Sequence, residues 1–144
     1  MPQLIEHIDA IARQKQRDVL YVWFHGGKPS KDGKRPRMEE DFAWAKSPVR
    51  KQVTEWLDVN HIVWMPCAGV ANTNCMMPYL GQIYIDLPFD KEVPEYQKLE
   101  SYLENPDGSM RVPGAEFCYW PLERAMENSA HDAPGFWEKW AENF

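Results

Sequence analysis

The chain is poor in cysteine, has no internal repeat and has no long apolar run. Its three cysteines, Cys67, Cys75 and Cys118, are an odd number, and no C-x-x-C is present. That excludes a pure disulfide framework and matches no common zinc spacing, so no metal and no cofactor is expected. No stretch approaches the roughly 20 apolar residues of a membrane span. The first 16 residues lack the apolar core of a secretory signal and carry Glu6 and Asp9 instead. These absences point to a soluble cytoplasmic protein with reduced thiols, without membrane attachment. No nucleotide loop is present either. His25-Gly26-Gly27-Lys28 follows an apolar run, but it lacks the G-x-x-x-x-G-K-[ST] pattern, and Pro29 forbids an immediate helix.

What the chain does have is aromatic side chains and an uneven distribution of charge. Seven of its 144 residues are Trp, which is high for one domain and places some rings in a contact surface as well as in the core. The net charge is −6. Residues 1–85 hold 11 bases and 9 acids, a net of +2, whereas residues 86–144 hold 5 bases and 13 acids, a net of −8. Within the first part, Lys28–Arg37 alone carries Lys28, Lys31, Lys34, Arg35 and Arg37 against Asp32. An acidic field of this kind disfavours general nucleic-acid binding and favours a basic partner.

Length and composition predict one domain over residues 1–144. Leu4, Ile8, Ile11 and Ala12 recur at helical spacing and predict a helix over Met1–Gln16. The run Val19-Leu20-Tyr21-Val22-Trp23-Phe24 suits a strand buried on both faces, within Asp18–His25. Met38–Ala45 reads as a short helical turn. Ser47-Pro48 is a helix start, with Val49, Val53, Trp56 and Leu57 forming one apolar face up to a stop at Asn60. His61–Cys67 and Gln82–Leu87 read as strands around a long loop, Ala68–Leu80. In the second of them Gln82, Tyr84 and Asp86 alternate with Ile83, Ile85 and Leu87. Pro94 opens another helix, which presents Leu99, Tyr102 and Leu103. Asn105-Pro106-Asp107-Gly108 is a turn. Ala115–Trp120 is a strand stopped by Pro121, and helices follow over Leu122–Ser129 and Phe136–Phe144.

Without the terminal helices this order is β-α-β-β-α-β. The expected fold class is therefore α+β: a single ferredoxin-like, split β-α-β antiparallel sheet with additional N- and C-terminal helices. Right-handed crossovers place the first and third strands in the centre and both crossover helices on one face.

Three functional readings are open. The leading one is a small acidic protein-binding module of the inhibitor or immunity type, which neutralises a basic partner such as a toxin nuclease. Its contact residues are sought where acids and rings interleave in the second half: Glu123, Glu127, Trp137, Glu138 and Trp140. Charge there would steer association and rings would anchor the complex. The second reading is an enzyme built around the 68–80 loop, with a cysteine, Cys67 or Cys75, as nucleophile and His25 or His61 as base. Asn72, Thr73, Asn74 and Cys75 form the candidate loop site. Cysteine is also among the most buried residue types and needs no such role. The third reading is a nucleic-acid binder that uses the basic loop 28–37 and the sheet aromatics Tyr21, Trp23, Trp64, Tyr84 and Tyr119. Its topology resembles that of RNA-recognition modules, which stack bases on sheet aromatics. The third strand, Gly-Gln-Ile-Tyr-Ile-Asp-Leu-Pro, lacks their basic-Gly-aromatic signature.

Overall fold

A computed structural model describes residues 5–27, 36, 42–71 and 78–142. Four strands, β1 (Val19–Phe24), β2 (Trp64–Pro66), β3 (Ile83–Ile85) and β4 (Ala115–Trp120), form one sheet in the order β2-β3-β1-β4. All three pairings are antiparallel. Five helices surround it: α1 (Ile8–Lys15), α2 (Pro48–Val59), α3 (Pro94–Leu103), α4 (Leu122–Ala125) and α5 (Phe136–Glu142). Short 3-10 turns precede α2 at Trp44–Lys46 and follow α4 over Met126–Asp132. The protein is thus α+β, with the first and third strands central.

The pleat of β1 divides the core in two. Leu20, Val22 and Phe24 point to one face and pack with Ile83, Ile85 and Ala115, with Val53 and Leu57 of α2, and with Tyr96, Leu99 and Leu103 of α3. Both crossover helices therefore lie on the same face. Val19 points to the other face, where Tyr84, Cys67 and Ala125 meet Ile8, Ile11 and Ala12 of α1. The terminal helices cover this second face, so the alternation in β3 does not mark a wet side. Tyr84 is as fully buried as its neighbours Ile83 and Ile85.

Local chemistry accounts for most element ends. Ser47 caps α2, its hydroxyl accepting from the Arg50 N–H at 3.2 Å, with Pro48 in the first turn. The chain leaves α2 through Asn60 and a left-handed His61 at φ 59°. Pro94 likewise stands in the first turn of α3, after Val93, which offers no side-chain cap. The first helix is shorter than its periodicity predicts, because a tertiary contact takes its first residues. Glu6 C=O accepts from Ala68 N–H at 2.8 Å, and Ile8 N–H donates to Ala68 C=O at 3.0 Å. This pairing holds the chain extended through His7, so α1 starts at Ile8. Residues 122–129 likewise split into one turn of α-helix and a 3-10 segment.

One glycine is held by its surroundings. Gly81 has φ +89°, and a Cβ there would lie 2.6 Å from the Cβ of Trp44. The Arg50 guanidinium stacks over the Trp44 ring and donates from Nε to the Gly81 carbonyl at 2.9 Å. Gly81→Ala should therefore combine left-handed strain with overpacking and cost roughly 2–3 kcal/mol in urea unfolding. A loss under about 0.5 kcal/mol would show that the loop before β3 yields freely.

Candidate functional site

The acidic and aromatic residues sought in the second half converge on the segment from α4 to α5. Glu123, Glu127 and Glu138 are exposed, and Trp137 and Trp140 are half-buried. What holds this segment is a buried polar network that spans the chain. Arg13, on α1, donates from Nε and Nη2 to the two carboxylate oxygens of Asp132 at 2.7 and 2.9 Å. Its Nη1 donates to the Ala125 carbonyl at 2.9 Å and to Asp9 at 3.3 Å. Asp9, fully buried, also accepts from the Asn128 side chain at 2.8 Å and from the Ala71 N–H at 3.2 Å. Burial alone would raise the Asp9 carboxyl, but the donors from Asn128, Ala71 and Arg13 outweigh it and hold it below the ordinary carboxylate value.

Rings complete the clamp. Trp137 stacks on His7 with centroids 5.4 Å apart and meets the edge of His131 at 5.0 Å. His7 is fixed in turn by its Nδ1–H donating to the Gly69 carbonyl at 3.1 Å. Trp137 therefore faces its own protein and not only solvent. The carboxylates differ: of the thirteen acids in residues 86–144, only Asp86 and Asp132 make an ion pair among the described residues, and Glu116 accepts a hydrogen bond from His25. Glu123, Glu127, Glu138 and Glu142 lie on the α4–α5 segment without one.

The cysteine and histidine candidates are placed as follows. Cys67 is fully buried, and burial pushes its thiol up to about 12, so it stays protonated at neutral pH. Cys118 is also a free thiol, half-buried, and raised first by burial. His25 is engaged at both ring nitrogens. Its Nδ1 accepts from Gly27 N–H at 3.0 Å, which assigns the proton to Nε2, and Nε2–H donates to Glu116 at 3.1 Å. His61 lies at the exposed end of α2. Asn72, Thr73, Asn74 and Cys75 lie outside the described residues, as does the basic loop 28–37 apart from Pro36.

The sheet aromatics do not share one platform. Tyr21, Trp23 and Tyr84 lie on the α1 side, with Tyr84 covered, whereas Trp64 and Tyr119 lie on the α2–α3 side. A groove of about 420 Å³ runs between α1 and β2, lined by Ile5, Ile11, Met65, Pro66, Lys15 and Tyr84. Its polar end is internally paired. Arg17 donates to Asp86 at 2.8 Å, and the Tyr84 hydroxyl donates to the same carboxylate at 2.8 Å. Burial first, and then Asp86, push the Tyr84 hydroxyl up to about 12, so it serves as a donor and not as a base. Among the described residues, no group of three or more His, Cys, Asp or Glu could hold a metal ion, and no helix is long and apolar enough to cross a membrane.

Sequence reasoning missed the Asp9–Arg13–Asp132–Asn128 network. The Asp9/Arg13 spacing of four was visible, but an i,i+4 pair on a helix is ordinarily a solvated one. No family model, curated protein or solved structure matches the chain.

Proposed function

We propose that this chain is an acidic protein-binding module of the inhibitor or immunity type, which acts by occupying a basic partner such as a toxin nuclease. The observation that carries the reading is the set of carboxylates from Asp90 to Glu142 without counter-ions, combined with a rigid frame beneath those on α4–α5. Charges without an ion-pair partner among the described residues, such as Glu123, Glu127, Glu138 and Glu142, are available for steering, and steering raises association rates by about 10–1000-fold. A nuclease cleft, built to attract phosphate, supplies the complementary charge. The strand order β2-β3-β1-β4 and the two crossover helices on one face support a ferredoxin-like topology as the scaffold.

The test is a rate measurement on the basic protein that co-purifies stoichiometrically from the native host. Charge reversal at Glu123, Glu127 and Glu138 together should slow association at least tenfold at low salt and flatten its salt dependence, with the dissociation rate changed little. An unchanged association rate and salt slope would make these carboxylates an ordinary solvated surface. Trp137→Ala is the poorer probe, since it also removes the ring that stacks on His7.

A further inference from the structure

The two edges of the sheet are finished differently. At the β2 edge, Cys67 N–H donates to Gln82 C=O at 3.0 Å, and Asp86 N–H donates to Val63 C=O at 2.9 Å. Alternation then turns residues 63, 65 and 67 inward to β3 and Trp64 and Pro66 outward. Pro66 has no N–H to offer, and the next position, Ala68, is taken by the pairing with residues 6–8. This three-residue edge is short and broken by a proline, devices that edge strands ordinarily carry.

The β4 edge has none of them. His25 N–H donates to Gly114 C=O at 3.0 Å, and the register runs unbroken from Phe24↔Ala115 to Val19↔Trp120. Residues 114, 116, 118 and 120 therefore bond inward to β1, and Ala115, Phe117 and Tyr119 face outward. Ala115 N–H is satisfied by Val112 C=O at 3.3 Å. The N–H and C=O groups of Phe117 and Tyr119 have no partner among the described residues. The strand, Ala-Glu-Phe-Cys-Tyr-Trp, has no Pro, Lys or bulge. Beside it stands a pair of exposed rings. Tyr119 is 48% and Phe89 38% exposed, and they stack with centroids 4.6 Å apart.

The charge around this edge is negative. Glu116 lies on the strand, and Glu100 and Glu104 lie at the end of α3. Burial raises the Glu104 carboxyl, and Glu100 raises it further against a smaller opposing effect of Lys91. Burial likewise raises the Cys118 thiol, with Glu116 and Glu104 adding to it.

We infer that the free edge of β4 is a strand-addition site for an extended, Lys/Arg-bearing segment of a partner protein. Main-chain bonds to Phe117 and Tyr119 supply the register, side chains on the α2–α3 side meet the Phe89–Tyr119 pair, and the alternate basic side chains, on the α1 side, meet Glu116. A second copy of the chain would set Glu100, Glu104 and Glu116 against themselves, which argues against self-pairing. The inference rests on the protein-binding reading and deepens it by naming the partner's local form.

The probe is a labelled peptide of alternating Lys and Val, six residues long, compared with its Glu/Val counterpart and with a version N-methylated at alternate residues. Only the unmodified Lys/Val peptide should bind, and hydrogen exchange at the Phe117 and Tyr119 amides should slow at least tenfold on binding. Tyr119→Lys, at an exposed position that tolerates a charge, should weaken binding at least tenfold while thermal unfolding stays unchanged. Tyr119→Phe should retain binding. If the N-methylated peptide binds as well, or no peptide binds, the inference is overturned. Sedimentation showing a dimer that Tyr119→Lys disperses would overturn it in favour of a second copy. If Tyr119→Lys leaves peptide binding intact while reversal at Glu123, Glu127 and Glu138 abolishes it, the edge inference falls and the acidic-surface reading stands. If the edge binds the peptide but those reversals leave association with the co-purified protein untouched, the acidic-surface reading falls alone.

Discussion

Arg13→Ala should cost about 3–5 kcal/mol in urea unfolding, because it strands a buried carboxylate. Asp9 is fully buried, and Arg13 is the cation beside it. Without the guanidinium, Asp9 keeps the Asn128 amide and the Ala71 N–H but loses its counter-charge, and the Ala125 carbonyl loses its donor. The Arg13–Asp132 pair contributes less than its geometry suggests, since the Asp132 side chain is 50% exposed and water screens it. Asp9→Leu combined with Arg13→Met should cost clearly less than the two single changes together, because the pair is then removed with its desolvation. Single changes costing under about 1 kcal/mol would mean that α1 and residues 125–132 are held by packing alone.

The same network sets an acid limit. The Asp9 carboxyl is lower in the folded chain than in the unfolded one, so its contribution is complete above the unfolded value, about pH 4, and is lost as pH falls through the folded value. Asp86, lowered by the Tyr84 hydroxyl, Lys15 and Arg17 against the opposing effect of burial, adds to the loss in the same window. Asp9→Asn should be less stable than the parent at pH 7, and its stability should fall less steeply below pH 4.

Phe24→Ala should cost a comparable amount, roughly 3–5 kcal/mol, by opening a cavity in the larger core. Phe24 is 1% exposed at the end of β1, where it pairs with Ala115 of β4 and packs against the helices of the larger core, so its neighbours can fill the space only in part. Phe24→Leu should cost less than about 1.5 kcal/mol, since most of the volume remains. Total stability of a domain this size is about 5–15 kcal/mol, so the alanine variant should sit near its threshold at 37 °C. Urea midpoints for the two variants check this. Equal losses would place Phe24 at a boundary of the core.

The sequence by itself determined what depends on neighbours along the chain. The apolar run 19–24 is a strand because β-branched and aromatic residues suit a pleat buried on both sides. Ser47-Pro48 and Pro94 start helices because a hydroxyl or a ring meets the needs of the first turn. The charge imbalance is a property of composition, and its sign was legible at once. Tertiary structure alone decided what depends on residues far apart. Asp9 and Arg13 resemble a solvated helix pair until Asn128 and Asp132, each 119 positions from its partner, seal them in. The start of α1 at Ile8 follows from Ala68, which no local propensity can report. Tyr84 looks like the polar side of an alternating strand until α1 covers it. The two sheet edges differ only once register is known, since that alone turns the missing N–H of Pro66 outward and leaves those of Phe117 and Tyr119 without a partner among the described residues.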